Sequence, residues 1–342
     1  MQYILKVVIV AILLFFYTAN ISASEQSTVL KGNVLKSGDC IGIVAPASGM
    51  DGMDISMAIS KLQSWGYKVK LAPHLYKQSG YLAGSDVERA EDLNAFFADD
   101  TVNAILCLRG GYGSERMLDL LDYEMIKQHP KILIGYSDIT ALHMALWEKC
   151  HLVSAHGAMV IDINDNSINY TDEQLQRGLS SMNISDNGIF ILPQNHQLEV
   201  LQAGTAEGTL IGGNLSVIAT LCGTSYAPSG ENCILFLEEV GEDSYAIDRM
   251  MWQLWQSGLL KNVKGMIIGN LRHCEPTEPQ PYDYSVKQVF AHYAQLAQIP
   301  VLYNLPVGHG AINGFLPLGV NAKIIADNAN PQLIIMENYA QK

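Results

Sequence analysis

Apolar residues in the first half of the chain alternate between short unbroken runs and longer stretches with a period near 3.6. Ile41–Ala45, Val69–Ala72, Ala104–Leu108, Ile132–Ile134 and Leu152–Ala155 are the runs, and each reads as a buried strand. Helical spacing fills the intervals: around Met53–Trp65, over Asp86–Ala98, over Ser114–Leu121, and from Asp138 onward, where Ile139, Leu142, Leu146 and Trp147 recur. Within Asp86–Ala98 the pattern puts Val87, Ala90, Leu93 and Phe96 or Phe97 on one face. Strand and helix in alternation predict a parallel sheet covered by helices on both faces. Ligands of such sheets bind beyond the carboxyl ends of the strands.

The pattern loosens after Gly157. Asp162–Tyr170, rich in Asn, Asp and Ser, reads as loop, and Thr171–Ser181 as a helix leading out of a first domain. Asn183–Leu201 reads as a connection with one strand, Ile189–Leu192. Beyond Ala203 a second unit begins, with the glycine-rich Gly208–Leu215 opening a helix. Ile234–Leu237 is a buried strand that delivers Glu238 and Glu239 at its end. Tyr245–Leu254 reads as helix, Val263–Gly269 as strand and Ser285–Ala297 as helix; Val301–Leu305 is a strand that delivers His309 just beyond Pro306. The expected architecture is α/β with two domains. An N-terminal parallel sheet flanked by helices spans 24–182, a linker 183–202, and a mixed α/β domain 203–342, with the active site between the two.

Ahead of this lies a different pattern. Lys6, the apolar run Val7–Tyr17 and the small and polar residues after it read as a secretory signal peptide over 1–23, cleaved near Ala23 or Ser24. The run is shorter than the roughly 20 residues that span a bilayer, and no cysteine follows closely to carry a lipid, so a stable membrane anchor is not expected. The mature chain is expected in the periplasm or outside the cell. Removal of Lys6 takes the formal net charge from −13 to −14, which disfavours nucleic acid as a partner. Cys40, Cys107, Cys150, Cys222, Cys233 and Cys274 are scattered without a C-x-x-C pair, which speaks against a metal site; no cofactor is expected. Cys107 and Cys222 sit in apolar runs and read as small core residues.

Candidate chemistry gathers at strand ends. Between strand and helix stands Gly135-Tyr136-Ser137-Asp138. A sharp strand-to-helix turn lifts its serine out of the sheet, beside N–H groups that have no helical partner. That is a nucleophile's position, although serine is also a preferred helix N-cap, and the second glycine of G-x-S-x-G is replaced by Ile139. Arg109-Gly110-Gly111-Tyr112-Gly113 closes another strand. Three readings fit it: a phosphate cradle lacking the usual third glycine and lysine, a plain tight turn, or an oxyanion loop serving Ser137.

The motifs AILCLRGGYG (Ala104–Gly113), IGYSD (Ile134–Asp138), GTLIGGNL (Gly208–Leu215), LFLEEVGE (Leu235–Glu242), IDRMMWQL (Ile247–Leu254) and Val307-Gly308-His309 resemble, in this order, the LD-carboxypeptidase family of serine peptidases, which includes the microcin C immunity peptidases. The resemblance covers about Gly38 to Ile335. It implies a Ser-His-Glu triad of Ser137, His309 and Glu238, with oxyanion donors in the backbone of Gly111 (or Gly110) and Asp138. Arg109 and Asn214 are the candidate substrate-binding residues; for Arg109 the other reading is a structural pair with a buried acid. Arg249 is expected to pair with a buried acid too. The implied reaction is hydrolysis of the bond from meso-diaminopimelate to terminal D-alanine in a murein tetrapeptide, through an acyl-enzyme. A murein peptide is thus the expected partner, and a homodimer is left open. Two features depart from the family: members that recycle cell wall are usually cytosolic, and His156-Gly157-Ala158 stands where many relatives have H-G-P. A microcin C-type amide hydrolase and a periplasmic solute-binding protein are the rivals. The first acts in the cytosol, and the second would not need the three residues together.

Overall fold

The computed structural model describes residues 28–50, 52–164, 169–276, 278 and 280–342, so the expected signal peptide lies outside the described residues. The chain forms a mixed α/β protein with two sheets. In the first half, β1 (Cys40–Val44), α1 (Ser56–Ser64), β2 (Lys68–Leu71), α2 (Asp86–Ala98), β3 (Ala104–Cys107), α3 (Tyr123–Gln128), β4 (Ile132–Gly135), α4 (Thr140–Cys150) and β5 (Ser154–His156) alternate, and α5 (Asn169–Ser180) follows. The strands pair in parallel in the order β2-β1-β3-β4-β5. Every residue of β3 and β4 is buried, as befits parallel strands covered on both faces.

The second half supplies β6 (Glu199–Gln202), β7 (Gly204–Asn214), α6 (Leu215–Leu221), β8 (Cys233–Val240), α7 (Ser244–Gln256), α8 (Leu259–Asn262), β9 (Gly265–Arg272), α9 (Val286–Ala297), β10 (Val301–Tyr303), β11 (Leu316–Leu318), β12 (Asn321–Ala326) and β13 (Gln332–Ile335). Its sheet runs β13-β12-β7-β8-β9-β10-β6, with four parallel central strands and antiparallel partners at both margins. The strand β11 does not join it. Leu316, Pro317 and Leu318 pair antiparallel with His156, Ala155 and Ser154, closing the margin of the first sheet. A split of the sheets at residue 203 therefore misses one crossing strand, whose three-residue apolar segment carries no sign of which sheet it joins.

Other differences have local causes. Gly208–Leu215 does open a helix, α6 from Leu215, but the residues before it are strand, since β7 runs through Asn214. A methyl group on Gly212 would lie 1.9 Å from Phe236 O, and one on Gly213 would lie 2.4 Å from Thr140 Oγ1. These glycines allow β7 to pass close to its neighbours, and the second lets α4 of the first unit touch the second. Ser114–Leu120 is a 3₁₀ helix. Ile189–Leu192 forms no strand, only isolated bridges from Ile189 to Asp186 and Ile334, and β6 lies within the segment read as linker. On α2 the buried face includes Arg89 and Asp92, while Val87 is exposed. The Arg89 guanidinium donates to Gly113 O at 2.8 Å, to Pro46 O and to Asp86, so it ties together two loops at strand ends. All six cysteines are free, and Cys222 is only half-buried.

Candidate active site

Ser137 follows β4 with φ of 64°, a left-handed conformation that costs a non-glycine residue about 1–3 kcal/mol. The turn it opens, Ser137–Ile139, is 3₁₀ and runs directly into α4. Tyr136 holds the cap position of that turn and makes no side-chain cap bond. The serine hydroxyl is thus not spent on capping. It faces His309 Nε2 at 3.0 Å.

Glycines bring the chain up to it. A methyl group on Gly110 would lie 2.8 Å from Ser137 Cβ and 3.0 Å from its Oγ, so only glycine lets the loop after β3 cross there. Gly111 and Gly113 both have positive φ, 116° and 119°. The Gly111 N–H makes no hydrogen bond among the described residues, whereas the Tyr112 N–H donates to Ser48 Oγ at 3.2 Å. Asp138 locks loop and turn together. Its carboxylate accepts from the N–H groups of Gly113 (3.3 Å) and Ser114 (2.8 Å), and Ser114 Oγ donates to its carbonyl at 2.5 Å. Neither the Asp138 side chain nor Arg89 stands out in sequence reasoning. The acid directly after the serine is the one signal that could have found the first.

The other two groups come from the second sheet. Successive strand residues point to opposite faces, so the adjacent acids of β8 have different surroundings. Glu239 accepts from Ser216 N–H (2.7 Å), Ser216 Oγ (2.6 Å), Asn214 Nδ2 (2.9 Å) and Val240 N–H (2.9 Å), which is a structural set of partners. Glu238, fully buried, accepts through Oε2 from His309 Nδ1 at 2.6 Å and from the His309 N–H at 3.1 Å. A carboxylate only accepts, so Nδ1 carries the proton and Nε2 offers its lone pair to Ser137. Gly308 permits the approach: a methyl group there would lie 2.5 Å from Glu238 Oε2. The loop is fastened by Asn313, whose Oδ1 accepts from the Gly308 N–H at 2.9 Å. Tyr136 packs edge-on against the His309 ring at 4.9 Å between centroids and donates to Asp162 at 3.2 Å.

Electrostatics follows from burial and pairing. For His309, burial disfavours the charged ring, but the contact with Glu238 outweighs it and raises the pKa above the usual 6.5. For Glu238, burial pushes upward, and the neighbouring His156 and His309 reverse it, so the acid stays ionised. Burial raises Asp162 and Glu239 and lowers His143 to about 3, which keeps that imidazole neutral.

Of the residues singled out in the sequence, Ser137, Glu238 and His309 converge, with Gly110, Gly111 and Asp138 beside the serine. Arg109 does not pair with a buried acid: it is half-buried, reaches Gly49 O at 3.4 Å, and its buried Nε has no partner among the described residues. Asn214 caps α6, accepting from Val217 N–H at 3.2 Å, and its amide donates to Glu239, so its side chain is committed within the protein. Arg249 likewise pairs with no acid among the described residues; it is exposed, over the ring of Tyr245.

A hydroxyl, an imidazole and a carboxylate in line on a two-sheet α/β frame are the constellation of a serine hydrolase. The chain belongs to the LD-carboxypeptidase family: residues 41–157 match its N-terminal domain and residues 207–324 its C-terminal domain. It is 36% identical over 293 residues to the probable murein peptide carboxypeptidase of Bacillus subtilis, covering 85% of this chain and 90% of that one. It is 32% identical over 290 residues to the murein tetrapeptide carboxypeptidase of Pseudomonas aeruginosa, covering 82% and 92%. An MccF-like protein of Bacillus anthracis superposes with a TM-score of 0.79 at 29% identity, over 90% of this chain and 99% of that one. The protein is a serine-type carboxypeptidase.

Proposed function

We propose that the protein hydrolyses the bond between meso-diaminopimelate and the terminal D-alanine of murein tetrapeptides, with Ser137 as nucleophile. The observation that carries this is the relay from Ser137 Oγ to His309 Nε2 at 3.0 Å and from His309 Nδ1 to Glu238 at 2.6 Å. The murein substrate is supported by the names of the two relatives. Ser137 Oγ attacks the carbonyl carbon of the L-configured centre as its proton passes to His309 Nε2. Glu238 remains ionised, fixing the tautomer and stabilising the imidazolium. The N–H groups of Gly111 and Asp138 receive the oxyanion; Gly110, pressed against the serine, sets the loop's height above it. His309 then gives its proton to the D-alanine amine, which leaves. Water, giving a proton to His309, attacks the acyl ester; the acyl C–Oγ bond breaks as His309 passes that proton to Ser137 Oγ.

Digestion of purified tetrapeptide muropeptides, read by mass spectrometry, should show loss of one alanine residue with the parent protein and none with Ser137→Ala. The likeness to the MccF-like structure favours a second reading, an amide hydrolase acting on a peptidyl-nucleotide. Cleavage of such an amide, with tetrapeptide left intact, would replace the first reading by the second. We further propose export to the periplasm, supported by the run Val7–Tyr17. N-terminal sequencing of the protein from its own cell should find a start near Ser24 or Glu25, and an intact Met1 on cytosolic protein would overturn export.

A further inference from the structure

Beneath the relay lies a histidine that the mechanism above does not use. His156 is fully buried at the end of β5, in register with Gly135 on the serine's own strand and with Leu316 on β11. Its ring sits edge-on to Phe236 (5.1 Å) and beside Tyr136 (5.7 Å). Neither of its ring nitrogens has a hydrogen-bond partner among the described residues. An apolar ring would fill this space without the cost of drying two polar atoms. One polar atom faces it. Glu238 Oε1, also fully buried and also without a hydrogen-bond partner, is 3.8 Å from His156 Nε2.

The two unsatisfied atoms answer each other. Glu238 spends Oε2 on His309, through both Nδ1 and the backbone N–H, which leaves Oε1 free to turn. A carboxylate held at one oxygen only can rotate and carry its partner's tautomer with it. We propose that His156 is a positioning residue for Glu238: its Nε2–H engages Oε1, so that Oε2 stays aimed at His309. The inference rests on the reading of Glu238 as the acid of the triad. A shift of about 1 Å brings the pair to hydrogen-bond length. Burial, against the pull of Glu238, favours a neutral donor here. The groups facing His156 are Glu238 from β8, His309 from the loop after β10, His143 from α4 at 6.5 Å between rings, and Tyr136, whose hydroxyl is turned to Asp162. Burial lowers the His156 pKa, and His143 is neutral with its Nε2–H given to Gly135 O at 2.9 Å. His156 therefore steadies Glu238 with a dipole and adds no charge to compete for it.

Two measurements test this. In the parent protein, ¹⁵N NMR of the imidazoles at neutral pH should show His156 protonated on Nε2 and bare on Nδ1; the opposite tautomer overturns the proposal without any variant. The second is the pH profile of kcat/KM on tetrapeptide. Losing a donor leaves Glu238 a stronger pull on the His309 proton, so His156→Phe should move the acid limb to higher pH. It should also lower kcat about tenfold with little change in KM. His156→Gln, which keeps a donor near the Nε2 position, should restore the parent's limb. A His156→Phe profile that superimposes on the parent's, or a His156→Gln limb displaced as the phenylalanine variant's is, overturns the role. If His156→Phe fails to fold, the tautomer and the glutamine variant decide. Retained turnover in Glu238→Gln would instead overturn the triad reading itself.

Discussion

Two adjacent acids on one strand differ in everything except their side chain. Glu238 is bonded to an imidazole and Glu239 to a helix start, because strand geometry turns them to opposite faces. Ser137→Ala, His309→Ala and Glu238→Gln should each fold and lose about 10³-fold or more in kcat, and the triple variant should lose little beyond the worst single one. Glu239→Gln should instead lower the melting temperature and leave turnover of the folded fraction largely intact. Kinetics alongside thermal unfolding separates the two outcomes. The same residues set opposite pH trends for activity and stability. As the proposed base, His309 must be neutral to take a proton, so kcat/KM should rise with pH through a midpoint above 6.5. The folded state binds that proton more tightly than the unfolded chain does. The stabilisation is therefore full below 6.5 and lost as pH rises through the folded pKa. Urea midpoints measured from about pH 6 to 9 should fall for the parent, and the fall should be smaller in His309→Gln.

At the scale of elements, glycine placement governs how closely chain segments approach. Gly110→Ala should leave the fold stable and cost on the order of 10²-fold or more in kcat, since the added methyl meets Ser137 directly. Gly212→Ala places its methyl against the Phe236 carbonyl inside a sheet, and should cost about 3 kcal/mol of stability by chemical denaturation. The two variants invert each other's phenotype. The strands β3 and β4 announce themselves because burial on both faces demands unbroken apolar runs, and the serine turn is legible from the glycine that ends β4. Glycines 212 and 213 mislead because what they avoid, Phe236 O and Thr140, is distant in the chain. Arg89 goes unnoticed for a similar reason. A charged residue reads as solvent-facing until the carbonyls of Pro46 and Gly113 are seen to surround it. Asp138 and His156 act through partners that only the folded chain supplies.

On the scale of the molecule, the two sheets are not independent. The first is closed by β11, contributed from beyond residue 315, and the Tyr339 hydroxyl bonds the Gly178 carbonyl at 2.7 Å after α5 has been laid down. A fragment of residues 28–182 would expose the Ser154–His156 margin with its hydrogen bonds unpaired, and should aggregate or fail to fold, as size-exclusion chromatography and circular dichroism would show. A stable, monomeric, helical fragment would contradict this account.

The crossing strand also sets a clock. A chain emerging from the ribosome completes its early parts first, and a domain built only from those parts could fold as they appear. Here the serine, glutamate and histidine are separated by 172 and 71 residues at their two contacts, and the strand that seals the serine's sheet is made after all three. The nascent polypeptide thus cannot close this sheet around the three groups until it has been synthesised past Leu318. A hydrolase assembled in this order keeps its reactive groups apart through most of the steps that bring its strands into being.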